Sequence, residues 1–217
     1  MNDLTTLQQI SVLVLPVLFA ITVHEAAHGW MAGRLGDATA RMLGRVTLNP
    51  IRHIDPVGTL LVPLGTFLLT GFLFGWAKPV PVTWKNLRQP RRDMALVAFA
   101  GPAANLVMML IWALVLKFAS MLVGGSEWIA MPLIYMGSAG VLINALLMVL
   151  NLLPILPLDG GRILASLLPP KLALVFSRSE PYGLFIVVGL LVTGLLGKLL
   201  WPAVEGLQAL AAGLVGL

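Results

Sequence analysis

The chain has 217 residues, of which 59% are hydrophobic and 11% are charged, and its mean hydropathy is +0.95. This balance excludes an ordinary soluble domain and predicts an integral membrane protein, with room for about four to six spans of about 20 residues and no separate soluble module. The lack of cysteine excludes thiolate metal sites, disulfides and thiol nucleophiles, and the net charge of +5 indicates a basic cytoplasmic face rather than a nucleic-acid partner.

The first apolar segment, residues 10–31, carries ionisable side chains at a depth where they are costly. His24 and His28 are four residues apart, with Glu25 between them. Because residues four apart share one face of a helix, both imidazoles can reach one metal ion, and the glutamate is placed to act as a general base. Polar residues that only pack two helices are the alternative. Residues 1–9 lack the basic region of a signal peptide, so we expect this segment to be retained.

The second apolar segment, residues 57–76, has basic residues on both flanks. These are Arg34, Arg41, Arg45 and Arg52 before it, and Lys78, Lys85, Arg88, Arg91 and Arg92 after it. An ordinary span would place one flank outside, so the segment is predicted to enter and leave the membrane on the same side. Residues 39–48 alternate loosely around a glycine and predict a short β-hairpin. The prolines within residues 78–82 predict an extended, strand-like segment, with an ordinary connecting loop as the alternative.

Three further apolar segments follow at residues 94–118, 128–153 and 182–201, with a short apolar tail at 202–217. We predict an all-α polytopic membrane protein of one domain, 1–217, with about four transmembrane helices plus the re-entrant segment; five to six spans are the alternative. The core helices are expected at about 8–33, 93–118 and 129–153, with 57–76 and 182–201 as accessory segments. In this arrangement Lys117 and Lys198 lie opposite the other basic residues, and the N-terminus is outside.

A catalytic zinc ion usually has three protein ligands, and Asp159 is the best candidate for the third. It follows Pro154 and Pro157, which interrupt the fourth apolar segment near its end and allow a carboxylate to turn inward. A simple Asp-Gly turn that ends a helix is the alternative.

Together, these motifs resemble those of the site-2 protease family of intramembrane zinc metalloproteases. The motifs are His-Glu-Ala-Ala-His at 24–28, Gly-Pro-Ala-Ala-Asn at 101–105, and the segment 151–160 with Leu-Asp-Gly at its end. Residues 49–56 and 75–79 are typical of the short bacterial and archaeal variety, which lacks PDZ domains. The resemblance implies that the small residues at 101–105 pack a core helix against the catalytic helix.

The resemblance also implies a role for each site residue. His24, His28 and Asp159 would bind one catalytic zinc ion, and Glu25 would be the general base. Asn151 would be a polar group near the metal that holds substrate or stabilises the oxyanion. The protein would be a multi-pass protein of a prokaryotic plasma membrane, with its active site toward the cytoplasmic side.

The implied substrates are transmembrane proteins, cleaved within or near their spans in regulated intramembrane proteolysis. The lipid bilayer is the second expected partner, and no nucleic acid is expected. An extended substrate could pair by strand addition with residues 39–48 or 78–82. The candidate substrate-binding residues are therefore Arg45, Val46, Val80 and Val82.

Two other functions are compatible with these residues: a divalent-metal transporter, and a catalytically silent membrane scaffold with the same fold. Transporters also place histidines and acidic groups within spans, but they do not need a glutamate that does not bind the metal, so Glu25 discriminates between the functions. The remaining histidine, His53, is expected to have a structural or interfacial role, with a place at the mouth of the site as the alternative.

Overall fold

The computed structural model describes residues 5–62, 65, 75 and 78–217, and these residues are largely helical and include no β-strand. The α-helices are α1 Thr6–Arg34, α2 Thr39–Met42, α3 Pro90–Met121, α4 Glu127–Asn151, α5 Asp159–Leu167, α6 Pro170–Ser177, α7 Gly183–Val192 and α8 Leu195–Val215. Shorter helical turns occupy Pro50–His53, Pro56–Leu61, Trp84–Asn86 and Glu180–Tyr182. In the described chain, the stretches long and apolar enough to cross a membrane are Leu7–Arg34, Pro90–Met121, Glu127–Asn151 and Pro170–Val192. For these residues, the prediction of an all-helical chain with about four helices able to cross a membrane is confirmed.

Helices α1, α3 and α4 pack against one another and form the bundle that carries the site. On α4, Gly140 lies directly against the Trp112 ring of α3. A Cβ atom at this glycine would lie 2.2 Å from the ring, so the close approach of the two helices requires the missing side chain. The adjoining core contains Met109, Ala113, Val141 and Ala145, with Val204 and Ala211 from α8.

The segment predicted as a β-hairpin, residues 39–48, is instead a one-turn helix followed by a turn and a short coil. Asp37 Oδ1 accepts a hydrogen bond from the Thr39 N–H at 3.1 Å and so stabilises the first turn of α2. Gly44, with φ +62°, ends this helix in a left-handed conformation. The N–H groups of residues 42–45 therefore donate to nearby carbonyls instead of across a pair of strands, and the hairpin prediction is wrong. Residues 78–82 are likewise not a strand.

The predicted accessory segment 182–201 is broken into two helices. Helix α7 ends at Val192, and Gly194 has a φ of +72°, a conformation that glycine adopts without steric cost. The chain then continues as α8 for 21 residues, about 32 Å, through the predicted tail 202–217. The C-terminal residues thus form a helix as long as a span instead of a short appendage.

Helix α8 runs alongside α4 from one end of the bundle to the other. Near its start, Leu196 packs with Leu153, just beyond the end of α4. Near its end, Val215 O accepts a hydrogen bond from Lys117 Nζ, at the far end of α3. Lys198 therefore lies at the end of the bundle opposite to Lys117, and the prediction that the two lysines lie on the same side is wrong.

The flanks of the predicted re-entrant segment lie side by side. The Lys78 N–H donates to His53 O at 2.8 Å, and the Arg88 N–H donates to Leu35 O at 3.1 Å. The chain therefore returns by residue 78 to the end of α1 from which it departed. Most of residues 57–76 lie outside the described residues, and re-entry of that segment stays a prediction.

Candidate metal centre

Three side chains from two helices meet at one point. His24 and His28 lie one turn apart on α1, and their Nε2 atoms are 3.1 Å apart. Asp159, the first residue of α5, places its Oδ2 atom 3.3 Å from the first of these nitrogens and 3.4 Å from the second. The three residues predicted as ligands thus form a group that could hold a metal ion.

The outer nitrogen of each imidazole faces a hydrogen-bond acceptor. His24 Nδ1 lies 2.6 Å from Asn105 Oδ1, and His28 Nδ1 lies 2.7 Å from Val97 O. An amide oxygen can only accept, so Nδ1 of each neutral ring carries the proton. Each Nε2 atom is then left with its lone pair directed toward the other ligand atoms.

The spacing of these atoms fits a zinc ion. Asp159 Oδ2 is buried and has no hydrogen-bond donor among the described residues, and a cation next to it would compensate for this. Ligand atoms about 2.0–2.1 Å from a tetrahedral zinc ion lie about 3.3 Å from one another. The three separations here, 3.1, 3.3 and 3.4 Å, agree with that arrangement, and two imidazoles with one carboxylate are a common zinc ligand set.

Gly101 allows helix α3 to reach the two histidines. A Cβ atom at this position would lie 2.5 Å from both His24 Cε1 and His28 Nε2, closer than real side chains approach. Any other residue would therefore force α3 away from the centre or displace the imidazoles.

Asp159 is placed by a tight turn after α4. The helix ends at Asn151, and the chain turns through residues 152–158, including the predicted prolines and a cis Leu156–Pro157 peptide, before α5 begins. The turn packs closely against α5, because a Cβ atom at Gly160 would lie 2.2 Å from Leu152 O.

Glu25 accepts a backbone hydrogen bond from a distant segment. The Val80 N–H donates to Glu25 Oε2 at 2.8 Å. Val80 belongs to residues 78–82, here called the strap. It lies between Pro79 and Pro81, neither of which has an N–H to donate. The sequence predicts the strap as a candidate for substrate pairing and contains no signal for this contact.

The start of α2 and the end of the strap are joined through a buried carboxylate. Asp37 is fully buried, and its two oxygens accept hydrogen bonds from Thr39, from the Thr83 N–H at 2.7 Å and from Asn86 Nδ2 at 2.9 Å. Burial alone would raise the pKa of Asp37, but these hydrogen bonds outweigh burial and lower it. Asp37 therefore stays ionised and fixes the chain after the strap to the end of α1.

A cavity of about 1010 Å³ opens beside the candidate metal centre. His24, Glu25, His28, Asp159 and Asn151 line it. Most of the other lining side chains are apolar, among them Val17, Ile21, Ile143, Leu147, Leu184 and Val187. These polar side chains thus border a mainly apolar cavity of the size of a ligand site.

The remaining predicted residues lie at different distances from this cavity. Val80 and Val82 line it, whereas Arg45 and Val46 are not among the described residues that do so. The Arg45 Nη2 atom donates to the carbonyl oxygen of the first strap residue at 2.9 Å, and Val46 packs with Val80 against Gly29 of α1. Arg45 and Val46 therefore contact the strap and do not line the cavity.

Two polar side chains at the cavity have local hydrogen bonds. Asn151 Nδ2 donates to Leu147 O at 3.0 Å, one turn back on α4. His53 is buried, lines the cavity and has its Nε2 atom 3.0 Å from Thr47 O. His53 is not part of the group formed by the three ligand residues.

Curated relatives cover most of the chain. It is 40% identical over 195 residues to a Bacillus subtilis protein named "Putative zinc metalloprotease YwhC", an alignment that covers 88% of this chain and 84% of the relative. It is 32% identical over 186 residues to "Putative zinc metalloprotease Rip2" of Mycolicibacterium smegmatis, and 31% identical over 175 residues to the Mycobacterium tuberculosis protein of the same name. These two alignments cover 83% and 79% of this chain, and 66% and 62% of the relatives. No family profile and no solved structure matches the chain.

Proposed function

The chain belongs to the site-2 protease family of membrane metalloproteases, and we propose that it hydrolyses peptide bonds within or next to the transmembrane segments of other membrane proteins. The observation that carries the proposal is the group of His24, His28 and Asp159. It has the donor set and spacing of a zinc site, and both histidines lie on a helix apolar enough to cross a membrane. The names of the relatives support a zinc metalloprotease.

The site residues can divide the reaction between them. His24, His28 and Asp159 would hold a zinc ion, which when bound polarises the scissile carbonyl and acidifies water. Glu25 takes the proton of the attacking water on its carboxylate and delivers it to the nitrogen of the leaving amine as the peptide bond breaks. The N–H of Asn151 that is not bonded to its own helix is available to the carbonyl oxygen as negative charge develops on it.

The surroundings of the site suit an unwound membrane segment. A peptide bond in a helix is protected by the backbone hydrogen bonds of that helix, so cleavage requires a locally extended substrate and access for water. The cavity offers apolar walls from α1, α4 and α7 next to the polar group. We place the reaction in regulated intramembrane proteolysis at a prokaryotic plasma membrane, with the site toward the cytoplasm, as the basic flanks of residues 57–76 support.

The test compares zinc content with cleavage of a transmembrane substrate by the protein in detergent. Glu25→Gln should keep about one zinc ion per chain and lose cleavage by at least about 10²-fold, because the proton acceptor is removed and the ligands are not. His24→Ala and Asp159→Ala should lose both. Asn151→Ala should keep zinc and turn over about 10²-fold more slowly.

Cleavage by Glu25→Gln at the wild-type rate would contradict the protease assignment. The same variant distinguishes a protease from a divalent-metal transporter, because a transporter does not need this carboxylate. Zinc uptake into proteoliposomes that survives Glu25→Gln, together with no cleavage by the wild type, would identify a transporter.

A further inference from the structure

Two buried asparagines connect three helices behind the candidate metal centre. Asn105 on α3 and Asn144 on α4 each have 0% of their surface exposed. Asn105 Nδ2 donates to Asn144 Oδ1 at 3.0 Å, and Asn105 Oδ1 lies 2.6 Å from His24 Nδ1. A continuous series of hydrogen bonds therefore runs from α4 through α3 to an imidazole on α1.

The direction of each hydrogen bond in this series is fixed by two backbone carbonyls. Asn144 Nδ2 donates to Gly140 O at 2.8 Å, so the oxygen of that amide faces Asn105. Asn105 Nδ2 donates to this oxygen and also to Ala20 O at 3.2 Å. If the Asn105 amide were reversed, its oxygen would face two other acceptors, which is unfavourable in a buried site. The Asn105 oxygen is therefore turned toward His24.

We infer that Asn144 is a positioning residue for the metal centre, which acts through Asn105 to keep the proton of His24 on Nδ1. A neutral imidazole can carry its proton on either nitrogen, and Nε2 can bind a metal ion only when the proton is on Nδ1. The inference rests on the zinc site of the proposed function and adds the device that sets the tautomer of one ligand.

His28 shows why such a device is needed at His24. The Nδ1 atom of His28 faces a main-chain carbonyl, Val97 O, which is a fixed acceptor. The acceptor at His24 is a side-chain amide, which can rotate and present either its oxygen or its nitrogen. Asn144 and the Ala20 carbonyl remove that freedom from Asn105.

Zinc affinity is the first measurement, made on the full chain in detergent by competition with a chelator. Asn105→Leu should weaken zinc binding by about 10- to 100-fold, as loss of an outer partner of a metal-binding histidine does. Asn144→Leu should weaken it by about 3- to 10-fold, because one hydrogen bond of the Asn105 amide remains. In the double variant, the second change should add nothing, because no Asn105 amide is left to orient.

Two further variants serve as controls for zinc affinity. Asn144→Asp, in its neutral form, keeps an acceptor toward Asn105 and a donor toward Gly140 O, so it should retain wild-type affinity. Thr22→Val changes another buried polar residue near His24, and it should also leave zinc affinity unchanged. If Asn144→Leu does not fold, the smaller Asn144→Ala supplies the same comparison.

Histidine tautomers are the second measurement, by ¹⁵N NMR of the zinc-free full chain with the imidazoles in their neutral form. The chain has three histidines, so the signals can be assigned by single substitutions. His24 and His28 should be protonated on Nδ1, and His53, which bonds Thr47 O through Nε2, should be protonated on Nε2. Asn144→Leu should shift His24 alone toward the Nε2 tautomer.

The outcomes separate this inference from the proposed function. Unchanged zinc affinity and an unchanged His24 tautomer in Asn144→Leu, with lower thermal stability, would show that the asparagine only packs helices and would overturn the inference. The inference would also be overturned if the losses of zinc affinity caused by the two single changes were additive in the double variant. If the wild-type chain bound no zinc, the proposed function itself would fail.

Discussion

Gly101 and Asn105 show how single residues of one helix determine the candidate metal centre. The two positions are four apart on α3 and therefore share the face that meets α1. At the first, the missing side chain leaves space for the imidazoles, because a Cβ atom would lie 2.5 Å from each ring. At the second, the amide oxygen contacts His24 Nδ1 at 2.6 Å. From the sequence alone, only close helix packing is predicted for this motif.

Replacement of Gly101 should lower zinc binding without changing the helical content of the protein. Gly101→Ala should reduce zinc content to below half of the wild-type value, because the added methyl group overlaps His28 Nε2, while the helical content stays unchanged. Zinc per chain and circular dichroism are the measurements. Gly33→Ala is the matched control: a Cβ there meets nothing within 4 Å, so zinc content should stay normal. Full zinc occupancy in Gly101→Ala would contradict this account of the helix approach.

The strap, residues 78–82, is the element that contacts Glu25, the proposed general base, from outside its own helix. Its single central N–H donates to Glu25, and its first residue is bound through two backbone groups, Lys78 N–H to His53 O and Lys78 O to the Arg45 guanidinium. Beyond its end, the ionised Asp37 binds the following residues. The strap is thus fixed on both sides of Val80, the residue that contacts Glu25.

Val80→Pro removes this one N–H from a segment whose neighbours are already prolines. It should lower kcat by about 10- to 100-fold, because a hydrogen bond to a charged group contributes about 1.5–3 kcal/mol and Glu25 would no longer be oriented. Zinc content should be unchanged. Val80→Ala keeps the N–H and loses only the side chain, so it should retain most of the activity. Equal rates for the two variants would show that the backbone contact does not serve catalysis.

In the molecule as a whole, the flanks of residues 57–76 and the two ends of α8 can each be assigned to one end of the helix bundle. Residues on both flanks of 57–76 are bonded to each other and to the end of α1. Helix α8 begins near Leu153 and ends near Lys117, so its first turn and its last turn lie at opposite ends. The cysteine-free chain allows these assignments to be tested with single cysteines.

Labelling with an impermeant maleimide in intact cells should follow this arrangement. Cysteines at Ser126 and Leu217 should react from outside, whereas cysteines at Arg41, Lys85 and Lys198 should react only after the cells are opened. Reaction at position 85 without reaction at position 41 would show that residues 57–76 cross the membrane. Reaction at position 198 from outside would contradict the direction of α8.

The sequence by itself determined the features that depend on local periodicity and composition. Apolar length identified a helical membrane protein, and the spacing of His24 and His28 placed two imidazoles on one helix face, since neighbours along a helix are fixed by its geometry. The prolines before Asp159 correctly indicated a turn at the end of α4. The predicted hairpin failed because local backbone bonds, such as Arg45 N–H to Ala40 O, form a helical turn there instead of pairing two strands.

Tertiary structure alone decided which distant groups meet these residues. The Glu25–Val80 contact joins positions 55 apart, and the Asn105–Asn144 contact joins positions 39 apart. Both contacts depend on how the helices pack and where the loops return. A short window of sequence contains no pattern that predicts either of them. An asparagine in an apolar run shows that a polar partner is needed. Its partner and the direction of the hydrogen bond follow only once α1, α3 and α4 are assembled, because fixed backbone carbonyls on two of these helices then orient the amides.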